Sequence, residues 1–264
     1  MAGSVDATDV IVAASREEAV QAFGDGDGVT VVAGGTIVMP EITHGRLHPT
    51  RALLISRAGL SGVRREDGRT TIGATTTLAE LEDAPEPLRS CARGVADFEI
   101  RGQATVGGNL CAPPGEEGPR GDLQSALLAL DAQVRSTGAG GERTEPVADF
   151  LASGRGGRLV LDVSFDEPQA AAMATVGRPH AHAYTILCVC AARSGDTVRV
   201  AVAGAGPTAV RCGSVERALA DGDADAAAER VLDDVTPHDD ALASAWYRSK
   251  TLPVLVRRAL NDLR

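Results

Sequence analysis

Residues 31–40 read VVAGGTIVMP: a β-branched apolar run, the adjacent pair Gly34 and Gly35, a hydroxyl at Thr36, and a second apolar run. Without a Cβ, a glycine lets main-chain N–H groups turn toward a phosphate oxygen and come close to it, and a threonine at a helix start adds a hydroxyl donor. The four residues AGGT therefore suggest an anion cradle, although a tight strand-to-helix turn with no ligand accounts for them equally well. Upstream, TDVIVAAS reads as a short strand, and Ser15 with Glu18 has the capping-box spacing that opens a helix through about Phe23. VTVVAGG is then a second strand, so the glycine pair ends the second strand of a small βαβ unit, where open α/β sheets bind ligands.

A second stretch, ATVGGN at residues 104–109, repeats the order hydroxyl, glycine, glycine, amide. Two such loops are able to grip a pyrophosphate from two sides. Neither matches the dinucleotide G-x-G-x-x-G or the P-loop, which disfavours the usual nicotinamide and nucleoside-triphosphate folds. Between and beyond them, Ala52 to Arg57 reads as a strand, VRREDGRTTIGA as a hairpin turning at Asp67-Gly68, and TTTLAELED as a helix. Pro85 is expected to open a further helix, PEPLRSCARG, and the Gly- and Pro-rich run IRGQATVGGNLCAPPGEEGPRGD to form a long functional loop. Asp122 is placed to cap the helix LQSALLAL, and DAQVRSTGAGGERTEPV reads as a hairpin. From about Gly157 the strands RLVLDVSF, AYTILCVCAA and DTVRVAVAGAG suggest a separate C-terminal part that closes in helices. In the last of these Leu252, Val256, Leu260 and Leu263 share a face, and Pro253 starts or kinks it.

With 264 residues, 44% of them hydrophobic, the chain is long enough for one large domain or two to three packed subdomains. Its apolar runs fall short of the ~18–20 residues of a membrane span, and its N-terminus lacks the basic start and apolar core of an export signal. A cytoplasmic setting is expected. Five scattered cysteines without a CxxC pair signal neither a disulfide framework nor an iron–sulfur or zinc site. The net charge of -10 argues against nucleic acid or anionic lipid as partner, while main-chain amides bind phosphate locally whatever the global charge.

The segments VVAGGTIVMPEI, TIGATTTLAEL, IRGQATVGGNL, DLQSALLALDAQV, GAGPTAVRCGSVERAL and YRSKTLPVLVRRAL follow one another in a familiar order and spacing. Over nearly its whole length the chain resembles the FAD-binding (medium) subunit of molybdenum hydroxylases, the xanthine dehydrogenase and carbon monoxide dehydrogenase family. The resemblance implies an α/β (α+β) fold of the vanillyl-alcohol-oxidase-like type. A PCMH-type FAD-binding domain would cover 1–165, in subdomains of about 1–55 and 56–165, and a C-terminal subdomain of antiparallel strands and helices would cover 166–264. It also implies that Val32, Ala33, Gly34, Gly35, Thr36 and Ile37 wrap one side of the FAD diphosphate, and Thr105, Val106, Gly107, Gly108 and Asn109 the other. Asp122 matches an aspartate that contacts the flavin half once the extra residues GEEG, 115–118, are allowed for, and Leu159 matches an apolar position near the isoalloxazine. Around MATVGRP many relatives have a lysine beside the flavin, where this chain offers Ala174 and Thr175. A cation there favours the anionic reduced flavin, so its loss is expected to alter potential or nucleotide docking.

In that family a large subunit carries the molybdenum cofactor (molybdopterin), and a small one carries two [2Fe–2S] clusters. Electrons pass through these to the FAD and on to NAD+, a quinone or oxygen. The chain is thus expected to be a redox subunit that needs both partners, with FAD bound non-covalently because neither glycine loop contains a histidine. The flavin does the redox chemistry, and no side chain is assigned as acid, base, nucleophile or metal ligand. Two alternatives stand beside this reading: a stand-alone FAD-dependent oxidoreductase acting on a small biosynthetic substrate, and an interaction module that has lost its FAD. His180 and His182 read as an exposed turn pair, Cys111 as an apolar filler, and Tyr247 and Arg248 as packing or pairing residues. Glu116 and Glu117 read as a solvated loop tip.

Overall fold

The N-terminal βαβ unit forms because its caps and strand ends are locally encoded. The computed structural model describes residues 8–113, 121–154, 156–177, 185–220 and 222–263. The GEEG segment with Glu116 and Glu117, and His180 and His182, lie outside them. Strand β1 (Asp9–Val12) leads to helix α1 (Arg16–Phe23), strand β2 (Val29–Val32), helix α2 (Val38–Thr43) and strand β3 (Arg51–Leu54). Ser15 caps α1, its Oγ accepting from the Glu18 N–H at 3.1 Å, while the Glu18 carboxylate accepts from the Ala14 N–H at 2.8 Å. The three strands lie parallel in the order β1-β3-β2. Ala19 and Phe23 of α1 bury against Leu53, Ile55 and Ala58, together with Leu159 and Leu161 from much later in the chain.

The second layer begins with the hairpin β4 (Val63–Glu66) and β5 (Arg69–Gly73), whose turn residues Asp67 and Gly68 both have positive φ, 51° and 76°. A 3-10 turn (Leu78–Asp83) and the short helices α3 (Leu88–Arg93), α4 (Phe98–Arg101) and α5 (Val106–Leu110) follow. After these come helix α6 (Asp122–Ala129), strands β6 (Gln133–Gly138) and β7 (Arg143–Pro146), helix α7 (Val147–Ala152) and strand β8 (Arg158–Asp166). The segment TTTLAELED, expected as an α-helix, is thus a 3-10 turn behind a Thr77–Glu80 capping box, and the long Gly-rich stretch begins at the end of α4 and contains α5.

The strand RLVLDVSF, read as opening the C-terminal part, is instead β8, the central strand of an antiparallel sheet ordered β4-β5-β8-β6-β7. Its pairing with β6 skips Leu161, since Arg135 faces Asp162 and Ser136 faces Val160. The extra residue is a β-bulge that changes which face successive side chains meet. Leu159 and Leu161 consequently enter the small core beneath α1, while Val160, Val163 and Phe165 enter the large core with α3 and α6.

The remaining strands, β9 (Ala170–Gly177), β10 (Thr185–Ser194), β11 (Thr197–Ala203) and β12 (Val210–Arg211), form an antiparallel sheet in the order β12-β11-β10-β9. Helices α8 (Gly213–Leu219) and α9 (Ala224–Glu229), a 3-10 turn (Arg230–Asp233) and helix α10 (Ala245–Asp262) complete the chain. One face of this sheet, with Val189, Ala191, Val200 and Val202, packs under these helices. The other, with Cys188, Cys190 and Ala201, joins the large core. Along α10 the stripe Leu252, Val256, Leu260 and Leu263 is buried as its spacing predicts, and Pro253 lies inside the helix rather than at its start.

Arg248 is 0% exposed and organises the entry to α10. Its guanidinium donates to the carbonyls of His238 at 2.6 Å and Ala243 at 2.5 Å and to Asp240 Oδ1 at 2.8 Å. Arg248 therefore pairs as expected, whereas Tyr247 is 37% exposed. Replacing Arg248 by methionine strands the buried Asp240 carboxylate without its guanidinium and is expected to cost about 3–5 kcal/mol, part of it recovered on adding Asp240→Asn. Denaturant titration of the full chain checks this, and coincident midpoints for R248M and wild type would disprove it.

In the hairpin region, Glu167 accepts from Arg65 at 2.6 Å through each carboxylate oxygen and from Thr70 at 2.7 Å, and these hydrogen bonds hold its carboxyl down to about 2. A carboxyl lowered on folding stabilises fully above its unfolded value, 4.5, and loses that contribution as pH falls toward 2. The Tm of Glu167→Gln is thus expected to lie below wild type at neutral pH, with the gap narrowing as pH drops through that window. A gap that stays constant to the acid limit would contradict this.

Candidate cofactor-binding site

The first glycine turn leaves β2 where the Val32 carbonyl accepts from the Ile55 N–H at 3.0 Å. Gly35 takes φ +74°, and its carbonyl accepts from the Met39 N–H at 2.9 Å. Among the described residues none accepts a hydrogen bond from the N–H groups of Gly34, Gly35, Thr36 or Ile37. Four consecutive half-buried main-chain donors without a protein acceptor fit an anionic, multi-oxygen ligand such as a diphosphate. The cation close in sequence, Arg46, is held by Glu41 at 2.8 and 2.7 Å, hydrogen bonds that lower the Glu41 carboxyl and raise the guanidinium. Neutral amides rather than a free guanidinium therefore offer the positive ends.

Gly34 also joins the two glycine motifs. A Cβ at this position would collide with the Gln103 carbonyl and approach the Ala104 N at 3.3 Å, so the turn is pressed against the backbone that enters the second motif. That motif is not an open loop. Thr105 caps α5, its Oγ1 accepting from the Gly108 N–H at 3.1 Å and its carbonyl from the Asn109 N–H at 2.8 Å. The Val106 and Gly107 N–H groups donate to the Thr76 and Ala74 carbonyls at 2.9 and 2.8 Å. The main-chain donors of 106–109 are thus committed within the protein, unlike those of the first turn. The two glycines here serve close packing, since a Cβ on Gly107 would come within 3.0 Å of Ala74 and one on Gly108 within 3.0 Å of Thr105 Oγ1.

Asn109 is 7% exposed, and its Oδ1 accepts from the Leu123 N–H at 2.9 Å. The amide side chain therefore caps α6 from outside, because the N-cap residue of that helix is Gly121, which has no side chain to do so. Asp122, expected at the cap, is the first helical residue and is half-buried. Next to it, Gln124 donates to the Leu110 carbonyl at 3.0 Å and accepts from the Ala209 N–H at 3.4 Å, tying α5 and α6 to the C-terminal sheet. Val106 and Leu159 are 0% and 2% exposed, so they lie in the cores behind the turn and present almost no surface to a ligand.

Thr75 is a residue that sequence reasoning missed. It is 7% exposed, and its Oγ1 is buried without a hydrogen-bond partner among the described residues, between the two carbonyls that anchor α5. An orphaned hydroxyl beside the joined motifs suits a polar ligand, and the run Thr75-Thr76-Thr77 was its only trace in the sequence. Apolar surface is also at hand: Met39, 49% exposed, sits beside Gly35, and Phe98, 72% exposed, opens α4. Of the pair Ala174 and Thr175, Ala174 is buried under the C-terminal helices, while exposed Thr175 donates to the Leu187 carbonyl at 3.0 Å.

The chain matches known proteins over nearly its whole length. Residues 6–165 match the family described as FAD binding domain in molybdopterin dehydrogenase, and residues 172–263 match the CO dehydrogenase flavoprotein C-terminal domain. The chain is 30% identical to the 6-hydroxypseudooxynicotine dehydrogenase complex subunit alpha of Paenarthrobacter nicotinovorans, over 96% of this chain and 93% of that one. With the carbon monoxide dehydrogenase medium chain of Hydrogenophaga pseudoflava it shares 26% identity over 92% of each. Its fold matches a structure of carbon monoxide dehydrogenase from H. pseudoflava with a TM-score of 0.81 at 24% identity, covering 97% of this chain and 96% of the other. Quinoline 2-oxidoreductase from Pseudomonas putida 86 gives a TM-score of 0.82 at 18% identity with the same coverage. By the match over most of its length, the chain belongs to the family of FAD-binding domains of molybdopterin dehydrogenases.

Proposed function

We propose that this chain is the FAD-carrying redox subunit of a molybdenum hydroxylase-type dehydrogenase, and that it holds FAD non-covalently at the turn of Val32 to Ile37. The observation that carries this reading is the run of uncommitted N–H groups at Gly34, Gly35, Thr36 and Ile37. In the proposal these donors hold the diphosphate, with Thr36 adding its hydroxyl. Val32 and Ala33 line the approach, and Thr105, Gly107 and Gly108 make the opposing wall. Val106, Asn109 and Leu159 support that wall from behind. Asp122 is assigned to the flavin half, and the orphaned Thr75 hydroxyl joins the same polar lining. When bound, FAD supplies the capacity to take up and release electrons, and the protein supplies binding, orientation and electrostatics.

We further propose that the molybdenum cofactor and two [2Fe–2S] clusters reside in a large and a small partner subunit. Electrons would then reach this chain from the clusters and leave to NAD+, a quinone or oxygen. Relatives named as a medium chain and as a subunit of a dehydrogenase complex support this. The domain division at about residue 165 and a cytoplasmic setting belong to the same proposal, in keeping with cysteines that form no disulfide. A stand-alone FAD-dependent oxidoreductase is the second reading. It is favoured by Thr175 standing where many relatives carry a lysine, in a chain whose single lysine is Lys250.

The full chain is expected to show a flavin absorbance spectrum. Gly34→Ala, which sets a methyl group against the Gln103 carbonyl, is expected to weaken FAD binding by roughly tenfold or more in a fluorescence-quenching titration. Unchanged affinity in G34A would remove the first turn from the site. Purification from the native host separates the two readings: a stable complex with molybdenum and iron supports the first, and substrate-dependent flavin reduction by the isolated chain supports the second.

A further inference from the structure

Three of the five cysteines, scattered in sequence, meet in space. Cys188 and Cys190 are two residues apart on β10, so both point to the same face, toward α3 and α6. Cys91 reaches that face from α3. The Sγ atoms form a triangle with edges of 3.4 Å (Cys91–Cys190), 3.8 Å (Cys91–Cys188) and 3.8 Å (Cys188–Cys190). The thioether of Met173, which pairs across from Cys190 on β9, lies 3.4 Å from Cys91 Sγ, and Ser125 Oγ of α6 lies 3.5 Å from Cys190 Sγ. The three cysteines are 3%, 2% and 0% exposed.

Buried cysteines often serve as small apolar fillers. Here the set has more structure than that. A tetrahedral centre with metal–sulfur bonds of about 2.3 Å requires sulfur–sulfur edges of about 3.8 Å, close to those observed. Thiolate and thioether sulfur are soft donors that select closed-shell thiophilic ions over magnesium, calcium or manganese. The cluster shares no residue with the glycine turn. It sits where the two matched family domains meet, with Cys91 and Ser125 from residues 6–165 and Met173, Cys188 and Cys190 from residues 172–263.

We propose that Cys91, Cys188 and Cys190 form a buried three-sulfur site for one thiophilic d10 metal ion, Zn2+ or Cu+, that clasps the two domains together. Met173 or Ser125 is placed to complete the shell. Each thiol that ligates gives its proton to solvent, and no electron is transferred. Because the sulfurs are buried, the ion enters as the two domains close, so that binding contributes to folding.

The test uses the full chain, produced with added zinc in one arm and added copper in the other and desalted anaerobically under reducing conditions. One metal ion per chain, with a sulfur-dominated shell in X-ray absorption, is expected in one of the two arms. Cys91→Ala and Cys190→Ala are expected to lose it, and the control Cys212→Ala, a buried cysteine outside the cluster, to keep it. Failure of wild type to retain either metal overturns the proposal, as does a retained metal with a nitrogen- and oxygen-dominated shell or undiminished metal in a folded C91A/C190A chain. The X-ray measurement needs no variant, so it decides the matter even if the substituted chains misfold. FAD content measured on the same samples separates loss of the metal from loss of the flavin site.

Discussion

The approach of Gly34 to the Gln103 carbonyl is the constraint on which the geometry of the candidate site depends. It presses the end of a strand from the parallel sheet against the segment that feeds α5, so two parts of the chain with separate cores share a seam of bare backbone. No side chain fits there. At that seam the first turn keeps its N–H groups uncommitted while the second motif spends its own on Ala74, Thr76 and Thr105. The pair is therefore asymmetric: one glycine turn offers donors, and the other holds its neighbours rigid.

Much of this was legible where the chemistry is local. Ser15 and Glu18 announce α1, Asp67-Gly68 announces a turn with two positive φ values, and the stripe from Leu252 to Leu263 announces α10. The glycine pair at the end of β2 identified the candidate site, and the ordered motifs identified the family. What escaped was non-local. Helix α5 is hidden by its glycines because its first amides are satisfied by carbonyls of the Ala74–Thr76 segment rather than by its own propensity. Asn109 caps a helix 14 residues further on, a partnership that no short motif encodes. Cys91 and Cys188 lie 97 residues apart, so spacing rules built on CxxC pairs could not see them meet. The placement of β8 at the centre of its sheet follows from burial on both faces, which a continuous apolar run leaves ambiguous.

Polar side chains buried in this protein act mainly as ties between elements. Asn109 and Gln124 connect α5 to α6 and α6 to the C-terminal sheet, and Arg248 gathers two carbonyls and Asp240 at the start of α10. Each satisfies main-chain groups that would otherwise be buried without a partner, and each fixes an angle between elements that apolar packing alone leaves adjustable. The wall behind the first turn is held in this way, so the uncommitted amides face a backbone fixed by buried side-chain ties.

The bulge at Leu161 carries an implication for how such a chain is able to diverge. Because one surplus residue lets β8 supply Leu159 and Leu161 to one interior and Val160, Val163 and Phe165 to another, its residue count is fixed by both at once. Losing or gaining a single codon there would rotate half of the strand out of phase with its surroundings. An exchange of one apolar side chain for another along this segment disturbs a single neighbourhood, whereas a change in its length would disturb both interiors together.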